Sequence, residues 1–111
     1  MRTTTTTSRH GITLPMDRVD ALCREYDVTE LAVFGSYLRD DFRPDSDIDF
    51  LVRFRDDDYG PWMGKLQDLE RALASLLNRD VDLVPRESVE QSENWIRRNH
   101  ILDSARVIYG A

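Results

Sequence analysis

Residues 47–54, Asp-Ile-Asp-Phe-Leu-Val-Arg-Phe, repeat with a period of two. Successive side chains of a strand point to opposite faces, so Ile48, Phe50, Val52 and Phe54 line one face and Asp47, Asp49, Leu51 and Arg53 the other. That pattern predicts a half-buried strand rather than an amphipathic helix. It also sets two carboxylates side by side on one face, where like charges repel, and a purely structural strand has little use for such a pair.

The flanking sequence supplies the partners such a strand needs. Pro15 suits a first helical turn, and Met16, Val19, Leu22, Cys23 and Tyr26 recur at helical spacing, which predicts a helix over residues 15–26. The apolar run at 30–34 reads as a buried strand that ends in a tight turn at Gly35. Residues 37–42 can form a short helix before Pro44, and 55–61 form an acidic loop. Leu66, Leu69, Leu73, Leu76 and Leu77 make a helical stripe ending near Asn78, a third strand follows at 80–84, and Pro85 stops it. A last helical region is expected over about 88–108. Residues 1–13 carry neither a helical period nor core-forming density and read as a flexible leader, with His10 solvated in it, so the domain proper is expected over 14–111. Strands interleaved with helices imply an α/β (α+β) fold, a small mixed sheet with helices packed mainly on one face. Asp82, in the third strand, can then face Asp47 and Asp49.

Bulk properties narrow the function. A chain of 111 residues has room for one core, so a catalytic domain of this size would depend on another chain to present a large substrate. The formal net charge of -6 argues against direct nucleic-acid binding, which relies on clustered Lys and Arg. Cys23 is the single cysteine and sits in the apolar stripe of the first helix, so no internal disulfide can form; a reducing, cytoplasmic setting is expected. No apolar run approaches the roughly 18 to 20 residues of a membrane span.

Carboxylates gathered at a strand end are most simply neutralised by a hard divalent cation, and Mg²⁺ is the natural choice, because it takes one or two carboxylates and completes its shell with water and phosphate. A calcium loop is the rival, since Asp45, Asp47 and Asp49 match its first three ligand positions. It fails where the pattern needs glycine and finds Phe50, and where it needs glutamate and finds Asp56. A solvated acidic loop is the remaining alternative. Against it stands Gly35-Ser36, between a strand and a probable helix start, where backbone and hydroxyl donors can approach a phosphate. A Gly-Ser turn alone is weak evidence, but Gly-Ser followed after ten residues by Asp-x-Asp couples an anion cradle to a cation site.

The stretch GSYLRDDFRPDSDIDFLV resembles the Gly-Ser-x10-Asp-x-Asp signature of the DNA polymerase β-like nucleotidyltransferase superfamily, and specifically its minimal nucleotidyltransferases. The likeness runs from about residue 15, through LERALASLLNRDVDLVPRESV, to IRRNHILDSARVIYG. It implies the polymerase β-like nucleotidyltransferase fold and an enzyme that moves a nucleoside monophosphate from ATP to a hydroxyl. By this resemblance Gly35 and Ser36 hold the β- and γ-phosphates, Asp47 and Asp49 bind Mg²⁺, and Asp82 binds a second metal or accepts the proton of the attacking hydroxyl. Arg39 supports the cradle or forms an ion pair. Arg43 and Lys65 are weaker phosphate candidates.

Many minimal nucleotidyltransferases are antitoxins paired with a HEPN-domain ribonuclease toxin and transfer AMP to a tyrosine of that partner, so the resemblance implies a protein adenylyltransferase with a HEPN toxin as partner. Two other functions stay open: an antitoxin that inhibits by binding alone, and transfer to a small molecule. Tyr59, Trp62 and Met63 near a Gly-Pro loop fit a docking surface. Trp95, which begins the last helical region, fits such a surface as well, but an aromatic at helical spacing more often lies in the core, and core is the preferred reading of it.

Overall fold

The computed structural model describes residues 7–9, 12–38, 43 and 46–110. Strand Thr7–Arg9 (β1) pairs with Ile12–Leu14 (β2), followed by helix Met16–Glu25 (α1) and strand Val28–Phe34 (β3). Strand Ile48–Phe54 (β4), helix Gly64–Leu77 (α2) and strand Val81–Pro85 (β5) come next. Helices Arg86–Glu90 (α3) and Trp95–Ser104 (α4) and strand Arg106–Gly110 (β6) complete the order. Four strands make one mixed sheet in the order β5-β4-β3-β6, with β4 and β5 parallel and the other pairs antiparallel.

The period of two in β4 sorts its side chains as expected. Ile48, Phe50, Val52 and Phe54 join Leu31 and Val33 of β3 in the main core, against Val19 and Cys23 of α1 and Leu69 and Leu73 of α2. Leu69 and Leu73, one turn apart, are wholly buried, which for each leucine is worth about 1.5–3 kcal/mol. Helix α2 ends where the leucine stripe does, on Asn78 in the left-handed conformation at φ 51° that asparagine tolerates. A smaller cluster lies on the opposite face, where Ala32, Phe34 and Leu51 meet Val89 of α3 and Ile101 of α4. Helices thus cover one face fully and part of the other.

Three segments differ from the sequence reading. The single helical region expected over 88–108 is two helices and a strand. The chain turns extended at Ala105 (ψ 139°), and residues 106–110 pair with the outer edge of β3, where Tyr109 sits opposite Leu31 and is buried. Val107, Ile108 and Tyr109 are good strand formers, and an unfilled edge of β3 rewards them more than another helical turn does. At the other end, residues read without secondary structure hold the antiparallel ladder of β1 and β2, and Leu14 is fully buried in the main core. His10 lies outside the described residues. The expected short helix after Gly35 is a 3₁₀ turn over Gly35–Leu38, and residues 39–42 lie outside the described set.

Burial pushes the Cys23 thiol up to about 12, against a small opposing pull from Arg24, so it stays protonated and inert at neutral pH. A thiol-reactive dye at pH 8 should therefore label Cys23 only after denaturation. Labelling of the native protein at the rate seen in urea would mean that α1 is not packed as described.

Candidate active site

The register of the sheet sets the site. Phe34 of β3 lies opposite Asp49 of β4, and Asp49 lies opposite Asp82 of β5, so the three form a row across the sheet on the face away from the main core. Asp47 precedes β4 by one residue and is exposed. The sheet thus places Asp49 and Asp82 side by side, as the sequence implied. Among the described residues, no three His, Cys, Asp or Glu side chains form a group that could hold a metal ion. A pair of carboxylates is enough for a cation that takes the rest of its shell from water and phosphate.

Gly35 closes on this row from β3. Its φ is +72°, a conformation that side-chain-bearing residues rarely adopt, and a Cβ there would overlap the Asp49 carboxylate, with Cγ 3.2 Å away. Only glycine lets the backbone turn this close to Asp49. The turn brings backbone beside the Asp49 carboxylate, and the oxygen donors of Asp47 and Asp49 suit Mg²⁺. Ser36 lies in the same 3₁₀ turn. Arg39 and Asp45 are outside the described residues.

Several contacts hold the carboxylates in place. Arg79, just beyond α2, donates from Nη1 to the carbonyl of Ser46 at 2.7 Å and to that of Arg43 at 3.5 Å, while the Arg43 amide donates to Ser46 Oγ at 2.9 Å. The backbone before Asp47 is thereby tied to the end of α2. The Ile48 amide donates to the Asp80 carbonyl at 3.1 Å, which starts the parallel ladder. On the outer edge of β5, next to Asp82, the Leu83 amide donates to Glu70 Oε2 at 2.9 Å, so an edge donor is satisfied by α2.

Farther along the same face, Arg53 Nη2 contacts both oxygens of Glu90 at 3.0 and 3.1 Å, and Arg86 reaches Glu30 at 3.2 Å and Glu90 at 3.4 Å. This network fastens α3 over one end of the face. The end with Asp49 stays open, between the sheet and α4.

Two adjoining cavities occupy that open end. One, of about 210 Å³, has Asp49, Asp82, Ser88, Ser92 and Arg98 in its wall. The other, of about 350 Å³, is lined by Gly35, Leu38, Asp49, His100 and Ser104. Phe34, Asp49, Arg97 and Ile101 border both. Helix α4 therefore forms the far wall, and its register is fixed by Asn94, whose Oδ1 accepts from the Arg97 amide at 3.1 Å.

Sequence reasoning did not single out Arg97, His100 or Arg79. The only hint was the Arg-Arg-Asn-His run at 97–100, which has no motif spacing to mark it. Lys65, a weak phosphate candidate, is elsewhere: it lies 5.3 Å from the Phe54 ring centre and near Asp27 and Asp58, at 3.7 and 4.0 Å. Arg43 takes part in the turn before Asp47. Trp95 is 61% exposed, which corrects its reading as core: it is the first residue of α4 and points outward with Ile96.

The chain resembles known proteins over most of its length. The nucleotidyltransferase domain family matches residues 17–108. A Thermococcus cleftensis protein named protein adenylyltransferase MntA is 41% identical over 69 residues, which is 62% of this chain and 67% of the relative, so the alignment spans about two thirds of that protein's length. A solved structure described as a minimal nucleotidyltransferase superposes with a TM-score of 0.61 at 31% identity, covering 81% of this chain and 85% of the other. A chain of a solved complex described as a tri-AMPylated Shewanella oneidensis HEPN toxin with an MNT antitoxin shares the fold with a TM-score of 0.57 at 22% identity, over 86% of this chain and 70% of that one. With its Gly-Ser turn against Asp49 and its matched span from α1 to β6, the chain belongs to the nucleotidyltransferase domain family.

Proposed function

We propose that this chain is a Mg²⁺-dependent protein adenylyltransferase that moves AMP from ATP to a hydroxyl, that of a tyrosine, on a HEPN-type ribonuclease toxin, and so acts as its antitoxin. The observation that carries this reading is the approach of the Gly35 backbone to the Asp49 carboxylate, with Asp82 in register beside it. The relative named protein adenylyltransferase and the antitoxin bound to a tri-AMPylated HEPN toxin support it.

Each residue has a role in this reading. The backbone at Gly35 and Ser36 holds the β- and γ-phosphates, and Arg39 supports that cradle. Asp47 and Asp49 hold the cation, which supplies charge neutralisation at the phosphate. The acceptor hydroxyl oxygen forms a bond to the α-phosphorus as the bond to the bridging oxygen breaks, pyrophosphate leaves, and Asp82 accepts the hydroxyl proton or joins in binding a second metal. The acceptor comes from outside: Trp62, 95% exposed, and Trp95 and Ile96 at the start of α4 offer apolar surface for a protein partner. The same surface suits an antitoxin that works by masking alone, which the assay below separates. The domain is taken as 14–111, after a leader at 1–13, and the setting as cytoplasmic.

Incubating the chain with a HEPN toxin, Mg²⁺ and labelled ATP should add one or more AMP units to the toxin, detected by intact mass. Asp47→Asn and Asp49→Asn should each lower transfer by about 100-fold or more, as should chelation of the metal, while toxin binding persists. A wild-type chain that silences the toxin but labels nothing would be an antitoxin by masking. Gly35→Ala combines a strained φ with displacement of Asp49, and a shift of about 1 Å at a reacting centre costs about 100-fold. Transfer by that variant should fall by about that factor while far-UV circular dichroism is retained. Transfer at the wild-type rate would mean that Asp49 tolerates the added methyl group.

A further inference from the structure

We infer that Arg97 is a polyphosphate-binding residue of this site, reaching from α4 across the cleft toward the phosphates that Gly35 and the carboxylates hold. The inference rests on the nucleotide site proposed above and adds a contact from the opposite wall.

Arg97 borders both cavities, as do Asp49, Phe34 and Ile101, so among the described residues it is the one basic residue in the wall that the two cavities share with Asp49. Its side chain is exposed, and among the described residues none forms an ion pair or hydrogen bond with its guanidinium. Its neighbour differs. Arg98 is half-buried, and its Nη1 donates to the Ser92 carbonyl at 3.3 Å, which ties down the turn between α3 and α4.

Local stability gives no reason for a cation at position 97. The first turn of α4 holds no acidic residue, and a cation near a helix N-terminus opposes the helix dipole. Asn94 already satisfies the Arg97 amide, so the helix start does not need the arginine side chain. A residue that breaks a local rule beside a cleft is better explained by what the cleft holds.

The chemistry fits one class of ligand. Asp47, Asp49 and Asp82 attract cations, and a metal-bound polyphosphate brings cation and anion together. The polyphosphate oxygens turned away from the metal need donors on the far wall, and a guanidinium gives planar paired donors to phosphate. His100 and Ser104, three and seven residues on, share this face of α4 and border the cavity beside Gly35. The cleft thus has carboxylates on the sheet side and an arginine, a histidine and a hydroxyl on the helix side.

The test is equilibrium binding of Mg²⁺-ATP and of Mg²⁺-tripolyphosphate, by calorimetry, to wild type, Arg97→Ala and Arg97→Lys. We expect Arg97→Ala to weaken both ligands about tenfold or more and by a similar factor, because the contact is to phosphate and not to the base, and Arg97→Lys to recover part of the loss. Thermal melting should be unchanged, which separates this role from a structural one. Equal affinities for wild type and Arg97→Ala would overturn the inference, as would a loss confined to ATP, or a wild type that binds neither ligand. A wild type that binds both ligands with the expected Arg97 dependence but labels no toxin would uphold the inference and sink the proposed transfer.

Discussion

The parallel pairing of β4 with β5 is the contact on which the site depends. It places Asp49 beside Asp82, and the antiparallel pairing of β4 with β3 places Asp49 beside Phe34, directly before Gly35. The side-chain period of a strand is two, so a slip of one residue in β4 would carry Asp49 into the main core and bring Ile48 or Phe50 to the cleft. The apolar side chains forbid that slip: Ile48, Phe50 and Val52 are wholly buried, and Phe54 nearly so. Packing on one face therefore fixes chemistry on the other.

Placing carboxylates together opposes folding, and the surrounding contacts offset that opposition. The Arg79 bonds to the Ser46 and Arg43 carbonyls and the Glu70 bond to the Leu83 amide secure backbone on either side of the acidic row without neutralising it. The charged side chains of the same face that do neutralise one another, Arg53, Glu90, Arg86 and Glu30, are gathered at the far end under α3. One face of one sheet is thus divided along its strands. Ion pairs fasten a helix at one end, and the carboxylates of Asp49 and Asp82 stand side by side at the other.

Much of this was legible in the sequence because it is local. The alternation in residues 47–54 depends only on neighbours in the chain, and it gave the strand, the buried set and the face carrying Asp49. Gly35 was legible as a turn, although the overlap a Cβ would make with Asp49 is a contact between strands and has no local signal. Strand β6 was not legible, because Val107, Ile108 and Tyr109 are apolar at positions compatible with either period, and the open edge of β3 decides between them. Nor was Trp95, whose helical spacing to Ile101 looks like a core stripe. Asn94 starts a new helix there and turns Trp95 and Ile96 outward. Arg79 and Arg97 illustrate the same limit: each acts across a tertiary gap, and no spacing within the chain marks it.

The outward turn of α4 has a functional side as well. The helix presents Ile101 to the sheet, where it is buried with Phe34 and Leu51, and Arg97 and His100 to the cleft, while Trp95 and Ile96 stand exposed. One short helix therefore touches the small core, the cleft and an apolar outer surface together. A protein substrate seated on Trp95 and Ile96 would rest about a turn from the residue that faces the phosphates, because residues 95 and 96 lie within one turn of 97. Docking and chemistry would then be joined by a rigid element capped at Asn94 rather than by a loop, which limits how far a docked hydroxyl can stray from the cleft. In that arrangement the cost of ordering the acceptor would be met at the docking surface, and the carboxylate row would be left to act on the phosphate.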